Sequence, residues 1–153
     1  MKIIAHRGNI SGRISHLENS PDYIVAAHAL GFDVEIDVWW TGSGFELGHD
    51  SPVFPVAASW LVQPWLWCHA KNAEALERLI SIKAHCFWHQ SDQLTLTSRS
   101  IPWCKEGFYL PTGVTVMQGQ DRPPSQIFGV CTDFPSTFEE PLKSSGDLDI
   151  RRV

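Results

Sequence analysis

Apolar and polar residues alternate most regularly between Gly31 and Asp50. Val34, Ile36 and Val38 alternate there with Asp33, Glu35 and Asp37, a period of two that predicts a β-strand with three carboxylates on one face. Like charges two residues apart repel, so such a strand either faces water or holds something positive. Ahead of it, Lys2 to Ala5 reads as a short strand running into the turn His6-Arg7-Gly8, and Asn9 to Asn19 reads as a loop. Ser20-Pro21-Asp22 opens a helix: Ser20 is a capping residue, Pro21 suits the first helical position, and Asp22 favours the positive end of the dipole. Tyr23, Ala26, Ala27 and Leu30 make the apolar stripe of that helix, and Gly31 stops it. Strand, helix and strand in this order predict a parallel β-α-β unit.

Downstream, Thr41 to Gly44 is a turn and Phe45 to Gly48 a short returning strand that ends at His49-Asp50. Ser51 to Pro64 has no clean period, and its prolines predict a loop. Trp65 to Ala70 is the next apolar strand; Asn72 caps a second helix, with Glu74 in its first turn and Leu76, Leu79 and Ile80 on its buried face. After Ala84 the helical period disappears. Cys86 to His89, Leu94 to Thr97, Gly113 to Met117 and Gly129 to Thr132 each read as short strands. Residues 1–138 are expected to form one domain and 139–153 a polar tail.

The composition narrows the function classes. A chain of 153 residues with 43% hydrophobic content can bury one real core. Its net charge of −5 argues against nonspecific nucleic-acid binding, which needs clustered Lys and Arg. No apolar run is long enough to span a membrane, because Pro55, Gln63 and Pro64 interrupt the most apolar region. Cys68, Cys86, Cys104 and Cys131 lack the close spacing of a zinc or redox motif and read as buried, reduced thiols. With no signal-peptide pattern in Met-Lys-Ile-Ile-Ala-His-Arg, the expected location is the cytoplasm.

Chemically capable side chains recur at the C-terminal ends of predicted parallel strands: His6-Arg7, Glu35 with Asp37, and His69 with Lys71. Sites in parallel α/β architectures are built at that end of the sheet. Glu35 and Asp37 offer hard oxygen ligands to Mg²⁺ or Ca²⁺, and His6 and His49 titrate near neutrality and can exchange protons with a reacting group. Arg7 presents a planar fork of donors suited to a phosphate. Asp33 is expected to be a solvated or turn-facing carboxylate, and Trp39 and Trp40 to be packing residues.

These residues stand in the order of a known pattern. His6-Arg7-Gly8, Glu18-Asn19-Ser20, Gly31, Glu35-Ile36-Asp37-Val38, Thr41 and His49-Asp50 resemble the motif series of the glycerophosphodiester phosphodiesterases, over the first third of the chain. The resemblance implies a metal-dependent phosphodiester hydrolase that cleaves a glycerophosphodiester to glycerol 3-phosphate and an alcohol. His6 and His49 would be its acid/base pair. Glu35 and Asp37 would be metal ligands, joined by His69 where the family has the Glu of Glu-X-Lys. Arg7, Lys71 and Glu18 would serve the substrate. A divalent cation is implied, Mg²⁺ or Ca²⁺, with Mn²⁺ or Zn²⁺ as the alternatives that His69 favours. The family fold is an eight-stranded (β/α) barrel of about 250 residues. A chain this short implies an α/β, reduced or incomplete barrel of the TIM type with few outer helices. A homodimer is expected to cover its bare side. The other reading is a reduced barrel that binds metal or phosphate without turning anything over.

Overall fold

The computed structural model describes residues 1–121, 123 and 126–138. The polar tail expected at 139–153 lies outside them. The chain is a mixed α/β structure: β1 (Lys2–His6), α1 (Pro21–Ala29), β2 (Asp33–Trp40), β3 (Phe45–Leu47), β4 (Phe54–Val56), β5 (Leu66–Ala70), α2 (Ala73–Ser81), β6 (Cys86–Phe87), β7 (Leu94–Leu96), β8 (Pro102–Cys104), β9 (Val114–Met117) and β10 (Gly129–Thr132), then a 3₁₀ turn at Pro135–Thr137. All ten strands belong to one sheet. From β6 through β5, β2, β1, β10 and β9 to β8 every neighbouring pair is parallel. The β3–β4 hairpin branches antiparallel from the C-terminal end of β2, and β7 pairs antiparallel with β8.

The β-α-β reading of the N-terminal third corresponds to parallel β1 and β2 joined by α1. Gly31 follows α1 in the left-handed region, at φ 95°, and its N–H bonds to the His28 carbonyl. This is the position where a Cβ would be strained. Ser20 precedes the helix but makes no side-chain capping bond, so the prolyl first turn starts without one. The buried stripe also differs from expectation. Ile24 and Ala27 are buried, whereas Ala26 and Leu30 face water. In α2, Ala75 and Leu79 are buried while Ile80 is 55% exposed. Short helices laid over one end of a sheet bury a narrower stripe than periodicity alone suggests.

Asn72 does cap α2. Its Oδ1 accepts from the Ala75 and Trp40 N–H groups, and its Nδ2 donates to the Trp40 carbonyl, so the cap also ties the helix to β2. Two strands appear where none is expected, β4 inside the 51–64 segment and β8. Each spans three residues and includes a proline, too short for any period to declare itself. After α2 no α-helix follows among the described residues. Part of the outer face there is covered by irregular chain instead: the Thr115 hydroxyl of β9 donates to the Phe108 carbonyl. Among the described residues, no helix is long and apolar enough to cross a membrane. All four cysteines are free and buried.

Two apolar clusters lie on opposite faces of the sheet. One gathers Ile24, Ala27, Val34, Ile36, Val38, Leu66, Ala75 and Leu79 between sheet and helices. The other joins Ile4, Trp67, Phe87, Trp103, Val114 and Cys131, contributed by β1, β5, β6, β8, β9 and β10. The sheet does not close, yet its parallel ends meet: the Phe87 and Trp103 rings stack at 4.3 Å. Ser98 bridges the seam. Its hydroxyl donates to the Ala84 carbonyl and accepts from the Cys86 N–H, and its own N–H bonds to the Cys86 carbonyl. Burying each such aromatic side chain stabilises by about 1.5–3 kcal/mol, enough to hold an interrupted sheet curled around its interior.

The second cluster borders one costly group. His85 is 2% exposed, neither ring nitrogen has a hydrogen-bond partner, and its ring centroid lies 4.1 Å from that of Trp67. Burial, reinforced by Arg99, pushes its pKa down to about 4. The unfolded chain therefore takes up this proton first, near pH 6.5, and the folded chain only near 4. Stability should fall as pH drops through that window, by on the order of 3 kcal/mol for this group. Urea unfolding of the wild type and of His85→Phe at pH 7 and pH 4.5 checks this. The variant should lose less stability between the two pH values; equal losses would contradict the assignment.

Candidate functional site

Strand register brings the chemically capable residues together. β1 and β2 run parallel with His6 opposite Glu35, and β2 and β5 with Asp37 opposite His69. Lys71 follows β5 by one residue, and its N–H bonds to the Val38 carbonyl. Arg7 enters through a left-handed residue, φ 54°, an uncommon conformation for a non-glycine side chain. It is held from both sides: its N–H bonds to the Glu35 carbonyl, and its carbonyl accepts from the Asn19 N–H. Strain of this kind persists only where the surroundings over-determine it.

His49 arrives by another route. Gly48 ends the returning strand at φ 153°, where an added Cβ would collide with the Ser51 carbonyl oxygen. The Gly48 N–H bonds to the Asp37 carbonyl and its own carbonyl accepts from the Trp39 indole at 2.6 Å, which fixes the residue that follows. Trp39 is therefore a positioning strut, and Trp40, edge-on to Phe45 and beneath the Arg78 guanidinium, is a packing residue.

Asp37 is the centre of the charge arrangement. It is fully buried, and its Oδ2 lies 2.9 Å from Arg7 Nε, 3.0 Å from Asn19 Nδ2 and 3.2 Å from His49 Nδ1. Its Oδ1 lies 3.2 Å from both His69 Nδ1 and Lys71 Nζ. Burial alone would raise its pKa, but the bonds to His49 and His69 and the charges of Arg7 and Lys71 hold it well below the usual carboxylate range. Glu35 goes the other way. Burial and repulsion from Asp37 push its pKa up, against the pull of His6, His69 and Arg7. Two neighbouring carboxylates thus have their protons driven apart.

His6 donates from Nδ1 to Asp133 Oδ1 at 2.8 Å, which leaves Nε2 directed to Glu35 Oε2 at 3.9 Å. Burial lowers the His6 pKa, yet the Asp133 hydrogen bond and the Glu35 charge outweigh it and the net shift is upward. Arg7 Nη2 lies 3.4 Å from His49 Nε2. A guanidinium only donates, so His49 Nε2 is the bare nitrogen and Nδ1 carries its proton toward Asp37. The two imidazoles are therefore held in opposite senses, one favouring its proton and one with its lone pair turned out.

His6, Arg7, Glu35, His49, His69 and Lys71 line a cavity of about 400 Å³, whose far wall includes Trp88, His89, Trp103 and Lys105. Glu18 does not line this cavity. It sits behind Arg7, accepting from Arg7 Nη1 at 3.3 Å and from Asn9 Nδ2 at 2.9 Å, with Arg13 Nε at 3.1 Å. Asp33 lies two residues before Glu35 on β2, away from the cavity, and is not simply solvated: it holds Lys2 Nζ at 2.8 Å and accepts from the Trp67 indole at 2.9 Å. Asn9, Asn19 and Asp133 are supporting residues without a role in the sequence reading. The nearest signal for Asp133 was its position just after a late apolar run. Its pairing with His6 depends on β10 lying beside β1.

Glu35, Asp37 and His69 each offer one ligand atom within 4.8 Å of the others. Glu35 Oε2 is buried without a hydrogen-bond partner, a costly state that a cation would offset, and Asp37 Oδ1 is buried with only its ion-pair contacts to Lys71 and His69. The donor set fits a divalent metal ion on both counts. Comparison with protein-family models, with curated proteins and with solved structures returned no match.

One consequence concerns the His6–Asp133 pair. Replacing Asp133→Asn removes the hydrogen-bonded charge that raises the His6 pKa, so the His6 titration followed by NMR should move to lower pH than in the wild type. An unchanged or higher value would contradict the assignment of Asp133 as the residue that orients His6.

Proposed function

We propose that this chain is a metal-dependent phosphodiester hydrolase of the glycerophosphodiester phosphodiesterase type, built on a reduced (β/α) barrel. It would convert a glycerophosphodiester to glycerol 3-phosphate and an alcohol. One observation carries the reading: two oppositely held imidazoles, two cations, Glu35 and His69 line one cavity from separate segments, and the fully buried Asp37 lies within ligand distance of Glu35 and His69. A phosphodiester anion repels nucleophiles, so its cleavage needs all three elements together.

Arg7 and Lys71, already at the cavity wall, would neutralise the phosphoryl oxygens as charge develops. A divalent ion held by Glu35, Asp37 and His69 would supply further charge neutralisation at the phosphoryl group. His49 Nε2, the bare nitrogen, takes the proton from the glycerol 2-hydroxyl as its oxygen attacks phosphorus. His6 Nε2 gives its proton to the departing alkoxide as the exocyclic P–O bond breaks. The resulting cyclic phosphate is opened by water, with the roles reversed. His6, now neutral, takes a proton from water, and His49 returns one to the 2-oxygen as the ring P–O bond breaks. Asp133 holds the proton on His6 Nδ1 throughout, so that only Nε2 exchanges. Glu18 serves this scheme by bracing Arg7.

Hydrolysis of bis(p-nitrophenyl) phosphate across a panel of divalent metals tests the proposal. Metal-dependent turnover should fall by at least about 10²-fold in His6→Ala and in Glu35→Ala. Activity should also decline on the alkaline side as His6, whose pKa is raised above 6.5, loses its proton. Metal binding without turnover would overturn the proposal in favour of a non-catalytic metal- or phosphate-binding barrel, and turnover that survives both substitutions would overturn it as well.

A further inference from the structure

The cavity has a second wall that the proposed chemistry leaves unused. The hairpin leading to His49 branches from β2, on one side of β1, whereas β9 and β8 lie on the other side, beyond β10. Trp103 of β8 and Val116 of β9 line the cavity there, joined by Trp88 and Gln90, just after β6. Lys105 and Glu106, after β8, and Gln118, after β9, complete the wall. In an in-line displacement the entering and departing oxygens stand on opposite sides of phosphorus. With the attacking hydroxyl at His49 and the departing alkoxide at His6, the leaving alcohol extends toward this wall.

The wall is sorted by polarity. Its buried part is apolar: Trp103 is 2% exposed, held by the Phe87 ring at 4.3 Å and the Trp67 ring at 5.8 Å, and Trp88 and Val116 are half-buried. Its exposed part is polar and consists of Gln90, Lys105, Glu106 and Gln118. Bonds between segments hold that rim in place. Glu106 Oε1 accepts from the Gln118 N–H at 3.2 Å, and the Lys105 N–H bonds to the Gln93 carbonyl.

This chemistry selects among alcohols. Lys105 and Glu106 are adjacent and opposite in charge, so a headgroup with net charge of either sign is attracted by one and repelled by the other. An acyl chain would strip water from four polar heads and return no hydrogen bond. A hydroxyl both donates and accepts, and so uses all four: Lys105 donates, Glu106 accepts, and each amide does both. The apolar part requires a contiguous C–H face, which a polyhydroxylated ring has and an open-chain polyol lacks. Indole faces carry negative π density and favour such C–H contacts.

We propose that this wall is the leaving-group subsite and that its alcohol is a neutral polyhydroxylated ring, a cyclitol or a pyranose. One C–H face would lie on Trp88 and Val116, with the hydroxyls among Gln90, Lys105, Glu106 and Gln118. The assignment of the leaving group rests on the hydrolase reading above.

The test compares glycerophosphodiesters on the full chain, with the metal that supports the fastest turnover. The alcohols are myo-inositol, glucose, choline, serine and methanol. For inositol or glucose, kcat/KM should exceed the choline, serine and methyl values by at least about tenfold, and the two ring diesters tell cyclitol from sugar. In Trp88→Ala and in Gln118→Ala the ratio of ring to methyl diester should fall by about tenfold, chiefly through KM. Choline or serine preferred, or equal values for all five, overturns the proposal, and the wild-type values decide it even where a variant does not fold. Saturation-transfer NMR with free myo-inositol and methyl glucoside gives a readout without turnover. Saturation of the ring C–H protons that Trp88→Ala abolishes, with no diester cleaved, would sink the hydrolase reading and leave the polyol site standing. Cleavage of the methyl diester with no preference for a ring would do the reverse.

Discussion

The burial of the Asp37 carboxylate is the constraint on which the site depends. A carboxylate in a fully buried position is stable only if charged and hydrogen-bonding groups surround it, and this one recruits partners from four segments: Arg7, Asn19, His49, and His69 with Lys71. Meeting that demand does more than satisfy Asp37. It sets the left-handed turn at Arg7, and it directs the proton of His49 inward so that its other nitrogen faces the cavity. Removing one partner would leave an uncompensated charge among the rest, so these residues behave as one unit.

Around that centre, a second tier holds the first in place. His6 and Asn9 both donate to one carboxylate oxygen of Asp133, which links the end of β10 to β1 and the turn after it, while Glu18 braces Arg7 from behind. The His69 imidazole is supported from the other side by Phe87 and His89. The proposed hydrolase draws on this arrangement through His6 and His49. The sheet beneath is interrupted between β6 and β8, yet Ser98 and the Phe87–Trp103 stack draw its ends together, so a short chain still surrounds an interior.

Much of the fold was legible because its signals are local. The alternation at Val34, Ile36 and Val38, the stop at Gly31 and the cap at Asn72 each act within a few residues, and each appears in the structure. The candidate residues His6, Glu35, Asp37, His49, His69 and Lys71 were legible for a related reason: they sit at strand ends, where a parallel sheet gathers side chains. The strands β4 and β8 were not legible, since three residues with a proline show no period and form only because a neighbouring edge is available. The helix stripes were misplaced for the converse reason: which residues of α1 and α2 are buried depends on how each helix lies over the sheet.

The sequence by itself determined which side chains could do chemistry and on which elements they sit, because residue type and short-range periodicity act along the chain. Tertiary structure alone decided which of them meet. Opposition of His6 to Glu35 and of Asp37 to His69 comes from parallel register, and the approach of Asp133 to His6 comes from β10 lying beside β1. It also decided proton affinity: the Asp37 pKa is lowered and the Glu35 pKa raised although both are carboxylates on one strand. Their sequence environments are nearly alike. Their partners, brought from distant segments, are not.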